Sequence, residues 1–234
     1  MTCVIPKFIY KRAHAVTAVA SGTADNLSGI AAIPRDQIVV IPNAPPEEVD
    51  ITSARNAPCP HPWLSERDVP VEVAMGRLEP QKGYELMLDA LALVSRNGIP
   101  LRLIILGEGR ILEVLTDLSA ELGVADAVHF AGFTQNSLAY LICSHLFVMT
   151  SKWEGYPNAL LEAVACGIPA VSTDCSGGGA RDIFGPAADL PDATPQAISA
   201  ALITCLTGST APFMNDLAPL RVDQIAQRYL ELAE

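Results

Sequence analysis

A glycine-bounded segment at residues 76–83 carries two cations, Arg77 and Lys82, five positions apart. The segment precedes a predicted helix, so a guanidinium, an ammonium and the positive end of the helix dipole would face one ligand. That arrangement suits a diphosphate. Alternatively, both cations are solvated surface groups. Lysine is scarce in this chain, and beyond residue 70 both lysines, Lys82 and Lys152, fall in candidate site segments. We therefore favour diphosphate binding.

A second segment, residues 151–162, places two carboxylates eight positions apart, Glu154 and Glu162. Pro157 suits the first position of a helix, and Gly155 lets backbone come close to a ligand. Glu162 then lies about two turns into that helix among apolar residues, where a carboxylate needs a hydrogen-bond donor. A sugar or ribose hydroxyl would serve, and a salt bridge to an arginine is the alternative. A glycosidase pair is disfavoured because eight helical residues span about 12 Å, although a folded-back loop would shorten that distance.

Two further segments are rich in glycine. Gly107 and Gly109 flank Glu108, but a GxGxxG dinucleotide motif would need glycine where Leu112 stands. We interpret these two glycines as tight-turn residues, with or without a ligand beside them. The run Ser-Gly-Gly-Gly at residues 176–179 offers consecutive N–H groups that form an anion-binding nest or serve as a hinge. Beside the other segments, we favour phosphate contacts from Gly177 and Gly178.

The elements that must position these segments alternate between strand and helix from residue 71 onward. Nearly continuous apolar runs predict strands at residues 71–75, 101–106, 127–130, 146–150 and 169–173. Helical periodicity predicts helices at residues 84–96, 110–122, 136–144, 158–166, 194–206 and 221–233. This order predicts a doubly wound, Rossmann-like parallel sheet with right-handed crossovers. Such sheets bind ligands beyond the carboxyl ends of their strands, where the four segments fall.

The chain divides into four predicted parts. Residues 1–42 predict a small unit with a strand at 15–20, a helix at 23–32 capped by Ser21, and a strand at 37–41. Residues 43–70 are rich in proline with little periodicity, which predicts a linker without regular elements. Residues 71–208 form the Rossmann-like domain, and residues 209–234 contain the last helix.

Composition excludes several classes of function. The 234 residues are 50% hydrophobic, enough for a large core, and the net charge of −11 disfavours nucleic acid and anionic membranes as general partners. No apolar run reaches the roughly 20 residues of a membrane span. The six cysteines form no CxxC pair, so we expect no metal site. Cys143 and Cys166 fall in apolar runs and are interpreted as core thiols in a reducing cytoplasm.

Taken together, the motifs resemble those of family-4 retaining glycosyltransferases with the GT-B fold, over roughly residues 15–206. The resemblance rests on Gly-Arg-Leu at 76–78 with Lys-Gly at 82–83, Gly-Glu-Gly at 107–109, Phe-Ala-Gly-Phe at 130–133, and the carboxylates Glu154 and Glu162 followed by Ala-x-Ala-x-Gly-Ile-Pro at 163–169. Residues 156–163 and 172–175 are especially similar to bacterial enzymes that build surface polysaccharides and glycoprotein glycans, including N-acetylgalactosaminyl transferases.

The resemblance implies a role for each matching residue. Arg77 and Lys82 would bind the diphosphate of a nucleotide-sugar donor and stabilise the leaving group, and Glu154 would hold hydroxyls of the donor sugar. Glu162 would bind the ribose. Backbone at Phe133 would meet the base, with support for sugar and phosphate from Gly76, Gly107, Gly109, Gly155, Tyr156, Pro157, Asn158, Gly177 and Gly178. The resemblance implies UDP-hexose or UDP-N-acetylhexosamine as donor, no divalent metal and no separate cofactor.

The chain also departs from the family pattern, because a complete GT-B enzyme has two Rossmann-like domains. Residues 1–42 resemble only the last strands of the first, acceptor-binding domain. We therefore expect a truncated, donor-binding half that is inactive alone and works with an acceptor-domain partner chain or as a homo-oligomer, at the cytoplasmic face of the membrane in the complete enzyme. A non-catalytic nucleotide-sugar-binding or scaffolding subunit is one alternative. A sugar-nucleotide epimerase is another, though the Arg/Lys segment and the carboxylate spacing favour a transferase.

Overall fold

The computed structural model describes residue 10, residues 12–208 and residues 220–232. The start of the predicted small unit and the predicted end of the last helix at Ala233 lie outside those ranges. Within them, the small unit consists of β1 (Val16–Ala18), α1 (Ser21–Ala31) and β2 (Ile38–Val40). β1 and β2 pair in parallel, with α1 as the crossover between them. The prediction that Ser21 caps this helix was wrong, because Ser21 is the first residue of α1 and Ala20 occupies the N-cap position.

Two helices lie in the proline-rich segment, where we predicted none. They are α2 (Glu48–Asn56) and α3 (Pro62–Glu66). α2 buries Ile51 and Ala54 on one face, and α3 begins at Pro62, whose fixed φ suits the first helical turn. The prediction of a linker without elements was wrong, because proline only marks where these short helices start and their apolar face is too small to show periodicity.

The main domain carries strands β3 (Val71–Met75), β4 (Arg102–Leu106), β5 (Val128–Gly132), β6 (Leu146–Met149) and β7 (Ala170–Ser172). Its helices are α4 (Tyr84–Arg96), α5 (Leu112–Glu121), α6 (Ser137–Cys143), α7 (Asn158–Ala165), α8 (Gly179–Phe184) and α9 (Pro195–Leu206). The helix α10 (Val222–Glu231) follows and contacts the small unit, where Arg228 donates a hydrogen bond to the carbonyl of Val40. All five strands are parallel, in the order β5-β4-β3-β6-β7. The predicted doubly wound fold is confirmed. α8 was not predicted, since its six residues are too few for a periodic signal.

Apolar side chains cover both faces of this sheet. One cluster joins Val73 and Phe147 to α7, and the other joins Ile105 and Val148 to α4 and α9. This two-sided burial explains why the strands read as continuous apolar runs. No helix within the described ranges has the length and apolarity to cross a membrane.

Glu72 is the exception in the middle of the core. It is fully buried in β3, and neither carboxylate oxygen has a hydrogen-bond partner among the described residues. Burial raises the pKa of Glu72 to about 8, because the charged form loses its hydration. A polar residue at this position reduces stability and takes no part in the candidate site.

Cys59 and Cys143 form a disulfide that joins the segment after α2 to the end of α6, across 84 positions of sequence. Cys143 is buried as predicted, but its interpretation as a free thiol was wrong. Spacing could not reveal this pair, because only the fold brings α2 and α6 together. Cys166 and Cys175 are free and buried.

Candidate functional site

A cleft of about 660 Å³ opens at the carboxyl ends of the main strands. Ten of the residues predicted to act at a site line it: Gly76, Arg77, Lys82, Gly107, Phe133, Glu154, Tyr156, Pro157, Asn158 and Glu162. The other four, Gly109, Gly155, Gly177 and Gly178, lie outside that lining. Chain segments up to 86 positions apart meet here because parallel strands deliver all their following loops to one edge.

The loop after β3 lies directly on the loop after β4. Leu78 donates its backbone N–H to the carbonyl of Glu108 over 2.8 Å. A Cβ on Gly107 would overlap the carbonyl oxygen of Gly76, and one on Gly109 would overlap that of Leu78. Both glycines therefore permit close packing of two backbones. Gly107 lines the cleft and Gly109 lies outside its lining, and contact of either glycine with a ligand stays a prediction.

The two predicted cations differ in their surroundings. Arg77 is exposed and forms no ion pair within the described part of the chain. Lys82 places Nζ 2.5 Å from Oε1 of Glu154, and the two side chains are only 18% and 11% exposed. Ser151 donates its hydroxyl to the same Glu154 oxygen over 2.9 Å. Glu154 is thus held by two donors, and an anionic ligand on Lys82 would compete with it.

The loops that carry Lys82 and Glu154 are joined by backbone and side-chain hydrogen bonds. Gln81 donates Nε2 to the carbonyl of Trp153 over 2.8 Å, and Lys152 donates its N–H to the carbonyl of Gln81 over 2.8 Å. The side chain of Lys152 is exposed and is not part of the cleft lining. These bonds fix the spacing between the cation and the carboxylate.

Glu162 lies in α7, partly buried, and faces the N-terminus of α6. Ser137 donates its hydroxyl to Oε2 of Glu162 over 3.2 Å, which leaves Oε1 without a partner among the described residues. Burial raises the pKa of Glu162, and the Ser137 hydrogen bond lowers it to a smaller extent. The predicted need for a donor is confirmed. The donor in the protein is a serine, so the alternative of a salt bridge to arginine was wrong.

The segment from Gly155 to Asn158 leads from the first carboxylate into α7. Tyr156 is buried. Burial, and to a smaller extent the negative charge of nearby Asp182, raises the pKa of the Tyr156 hydroxyl to about 12. Pro157 occupies the N-cap position, one residue before the first helical position predicted for it, and α7 begins at Asn158. Asn158 accepts a hydrogen bond from Nδ2 of Asn43 over 2.7 Å, so the small unit's following segment also reaches the cleft.

The glycine-rich loop supports the site from behind. A Cβ on Gly177 would overlap the carbonyl oxygen of Glu154, and a Cβ on Gly178 would lie 3.0 Å from the backbone nitrogen of Gly22. The N–H of Glu154 donates to the carbonyl of Ser176 over 2.8 Å. Gly177 and Gly178 thus pack against backbone, and contact with phosphate stays a prediction.

Phe133 and Glu108 also line the cleft. The ring of Phe133 is 70% exposed although it is a large apolar group. The Glu108 carboxylate is exposed beside Gly132. An exposed ring in a cleft is suited to stacking on a planar ligand.

Sequence reasoning missed three polar residues at this site: Gln81, Ser137 and Ser151. Ser137 is the first residue of α6, and Ser151 ends the run after β6. Ser151 directly follows a predicted strand and Gln81 lies within the segment at residues 76–83, so position was the available signal for these two, whereas Ser137 lies inside a predicted helix and had none. The bonds of Ser137 to Glu162 and of Gln81 to Trp153 could not be predicted, because they link segments 25 and 72 positions apart whose distance depends on the sheet order. The bond of Ser151 to Glu154 is local and spans three positions.

Residues 62–217, more than half of the chain, match the model of the family described as glycosyl transferases group 1. The chain belongs to this family, which confirms the resemblance drawn from its motifs. An uncharacterized glycosyltransferase of Methanocaldococcus jannaschii is 34% identical over 126 residues, which are 54% of this chain and 31% of that protein.

A second relative is the N-acetylgalactosamine-N,N'-diacetylbacillosaminyl-diphospho-undecaprenol 4-alpha-N-acetylgalactosaminyltransferase of Campylobacter jejuni. It is 35% identical over 113 residues, which are 48% of this chain and 30% of that protein. The structure of Anabaena HepE in complex with UDP-glucose matches 97% of this chain and 65% of that chain, with a TM-score of 0.77 and 21% identity, and so shares its fold. The matched region spans less than a third of the two curated relatives.

Proposed function

We propose that this chain binds the sugar donor of a retaining glycosyltransferase, with a UDP-linked hexose or N-acetylhexosamine as the donor and a polysaccharide or glycan as the product. The carrying observation is that Arg77 and Lys82 share one cleft with Glu162, whose Oε1 has no described protein partner. Cations for a diphosphate and an acceptor for a hydroxyl are the groups that a nucleotide sugar needs.

The groups that line the cleft offer a partner for each part of a nucleotide sugar. The base would stack on Phe133, the ribose would donate a hydroxyl to Glu162, and the diphosphate would lie on Arg77 and Lys82. The sugar would then meet Glu154, which exchanges its bond with Lys82 for sugar hydroxyls. HepE was crystallised with UDP-glucose, which favours UDP, and the name of the Campylobacter relative favours an N-acetylhexosamine.

In the proposed reaction, the bond between the anomeric carbon and the diphosphate oxygen breaks, an acceptor hydroxyl oxygen bonds to the anomeric carbon from the same face, and the hydroxyl proton passes to the departing diphosphate. Arg77 and Lys82 stabilise the negative charge that develops on the departing diphosphate. Two cations at a helix N-terminus would perform this role without a divalent metal. We propose that the acceptor is bound by another domain or chain, and that the protein works in the cytoplasm.

Calorimetric titration of the chain with UDP, GDP and ADP, each with and without EDTA, tests the proposal. We expect UDP to bind more tightly than GDP or ADP, with the same affinity in EDTA. UDP-hexoses and UDP-N-acetylhexosamines, titrated next, would identify the sugar. Absence of binding by all three nucleotides would contradict the proposed function, and binding that requires a metal would contradict the cation-only site.

A further inference from the structure

The small unit contacts the main domain where the N-terminus of α1 meets α8. The backbone N–H of Ser21, the first residue of α1, donates to Oδ2 of Asp182 over 2.7 Å, across 161 positions of sequence. The first N–H groups of a helix have no partner inside the helix, and a carboxylate there also interacts favourably with the helix dipole. Asp182 therefore binds the start of α1 to the main domain.

Glycine makes this contact a backbone-to-backbone one. A Cβ on Gly22 would lie 2.8 Å from both the carbonyl carbon and the carbonyl oxygen of Gly177, closer than real side chains approach. A Cβ on Gly178 would lie 3.0 Å from the nitrogen of Gly22. We call Gly22, Gly177, Gly178 and Asp182 the α1 junction. No side chain separates α1 from the glycine-rich loop there.

The α1 junction continues into the loop that carries Glu154. Gly177 packs against the carbonyl of Glu154, and the Glu154 N–H donates to Ser176 over 2.8 Å. A Cβ on Gly155 would lie 3.3 Å from a methyl group of Val19, so the small unit also touches this loop directly. Glu154 in turn forms the ion pair with Lys82 in the cleft. These contacts are close-packed, so a displacement of α1 would also displace the Glu154 carboxylate.

We propose that the α1 junction is a positioning device for the donor site, in which Asp182 and Gly22 hold the Glu154 loop against Lys82. Asp182 lies outside the cleft lining and acts through the loop, so it is a positioning residue and not a catalytic one. The small unit is then a working part of the donor site. The role given to Glu154 rests on the proposed function, but the mechanical coupling does not.

Two matched glycine substitutions on α1 test the coupling without any ligand. Gly22→Ala adds a Cβ in the α1 junction, whereas Gly29→Ala adds one on the same helix with nothing within 4 Å. Gly29 lies in the interior of α1, where alanine is favoured over glycine, so Gly29→Ala should not weaken the helix. We expect hydrogen–deuterium exchange of the Glu154 amide, followed by NMR, to be at least about tenfold faster in Gly22→Ala and unchanged in Gly29→Ala.

A second pair of variants tests the carboxylate. Asp182→Ala removes the acceptor for Ser21, while Asp174→Ala removes an exposed carboxylate that pairs with Arg181. Asp182→Asn keeps an oxygen acceptor and should restore most of the protection of the Glu154 amide. We expect the amides of β4, which lie far from the α1 junction, to exchange at the same rate in all variants.

The outcomes separate this proposal from the proposed function. Unchanged exchange at the Glu154 amide in Gly22→Ala and Asp182→Ala would overturn the coupling. Equal acceleration at Glu154 and in β4 would also overturn it, because it would show a loss of overall stability instead of a local effect. If the unmodified chain binds UDP-sugars, Asp182→Ala should lower the affinity for a UDP-sugar by a larger factor than the affinity for UDP, because Glu154 is proposed to contact the sugar. A chain that binds neither would refute the proposed function and leave the exchange result intact.

Discussion

At the scale of single residues, Lys82 and Lys152 make a matched pair for testing the diphosphate site. Lys82 lines the cleft, whereas Lys152 is exposed in the neighbouring loop. We expect Lys82→Ala to weaken UDP binding at least about tenfold, because a hydrogen bond to a charged group contributes about 1.5–3 kcal/mol. Lys152→Ala should leave the affinity unchanged in the same calorimetric titration. Equal effects of the two substitutions would contradict a local diphosphate site.

Glu72 predicts a pH dependence of stability that has no connection with binding. Its pKa is raised from 4.5 to about 8, so the folded state retains a proton that the unfolded state releases. The free energy of unfolding should therefore fall as pH rises from about 4.5 to about 8, by an amount on the order of several kcal/mol. Glu72→Gln removes this dependence.

Urea unfolding at about pH 5 and about pH 8 measures this effect for the unmodified chain and the variant. Glu121→Gln, which changes an exposed carboxylate on α5, is the control and should behave like the unmodified chain. If Glu72→Gln loses as much stability between the two pH values as the unmodified chain, the carboxylate is not the cause.

At the scale of elements, the contact between the loops after β3 and β4 depends on Gly107. Gly107 and Gly123 both have positive φ, at 138° and 72°, but only at Gly107 would a Cβ meet other atoms. Gly123→Ala should cost about 1 kcal/mol for its backbone conformation alone. Gly107→Ala adds a steric overlap with Gly76 and should cost several kcal/mol.

Urea unfolding compares the two glycine variants, and UDP titration compares their sites. We expect Gly107→Ala to lose UDP affinity as well as stability, since the displaced loop carries Arg77. If the two variants lose the same free energy of unfolding, the steric overlap between the loops after β3 and β4 does not affect stability and the prediction is wrong.

The predicted elements were the most accurate part of the sequence analysis. Strands and long helices agree with the structure within two residues, because two-sided burial makes each strand a continuous apolar run. The errors are all short elements. α2, α3 and α8 bury too few side chains to show periodicity, and Ser21 failed as a cap because Asp182 performs that function from another element.

At the scale of the whole molecule, the disulfide ties the segment with α2 and α3 to the main domain. Cys59→Ser opens a loop of 84 positions and should lower the free energy of unfolding by about 2–4 kcal/mol. Dithiothreitol should lower the stability of the unmodified chain to that of the variant and leave the variant unchanged. A reductant-insensitive unmodified chain would contradict the disulfide.

In the candidate site, the residue types could be predicted from short segments, whereas their hydrogen-bond partners could not. Arg77, Lys82, Glu154 and Glu162 could be predicted as candidates from residue type and from their position after a strand or in the helix that follows it, and all four line the cleft. The pairing of Lys82 with Glu154 and of Glu162 with Ser137 joins segments 72 and 25 positions apart. Those partners depend on strand order, for which no local signal exists.

The sequence by itself determined the long elements, the edge of the sheet where the candidate site lies, and the residue types available there, because burial periodicity and loop chemistry are properties of short segments. Only the tertiary structure decided which glycines enter the cleft and which ones support it, where the disulfide forms, and that α1 contacts the Glu154 loop. These features depend on distances between segments far apart in the chain, and such distances exist only once the sheet is assembled.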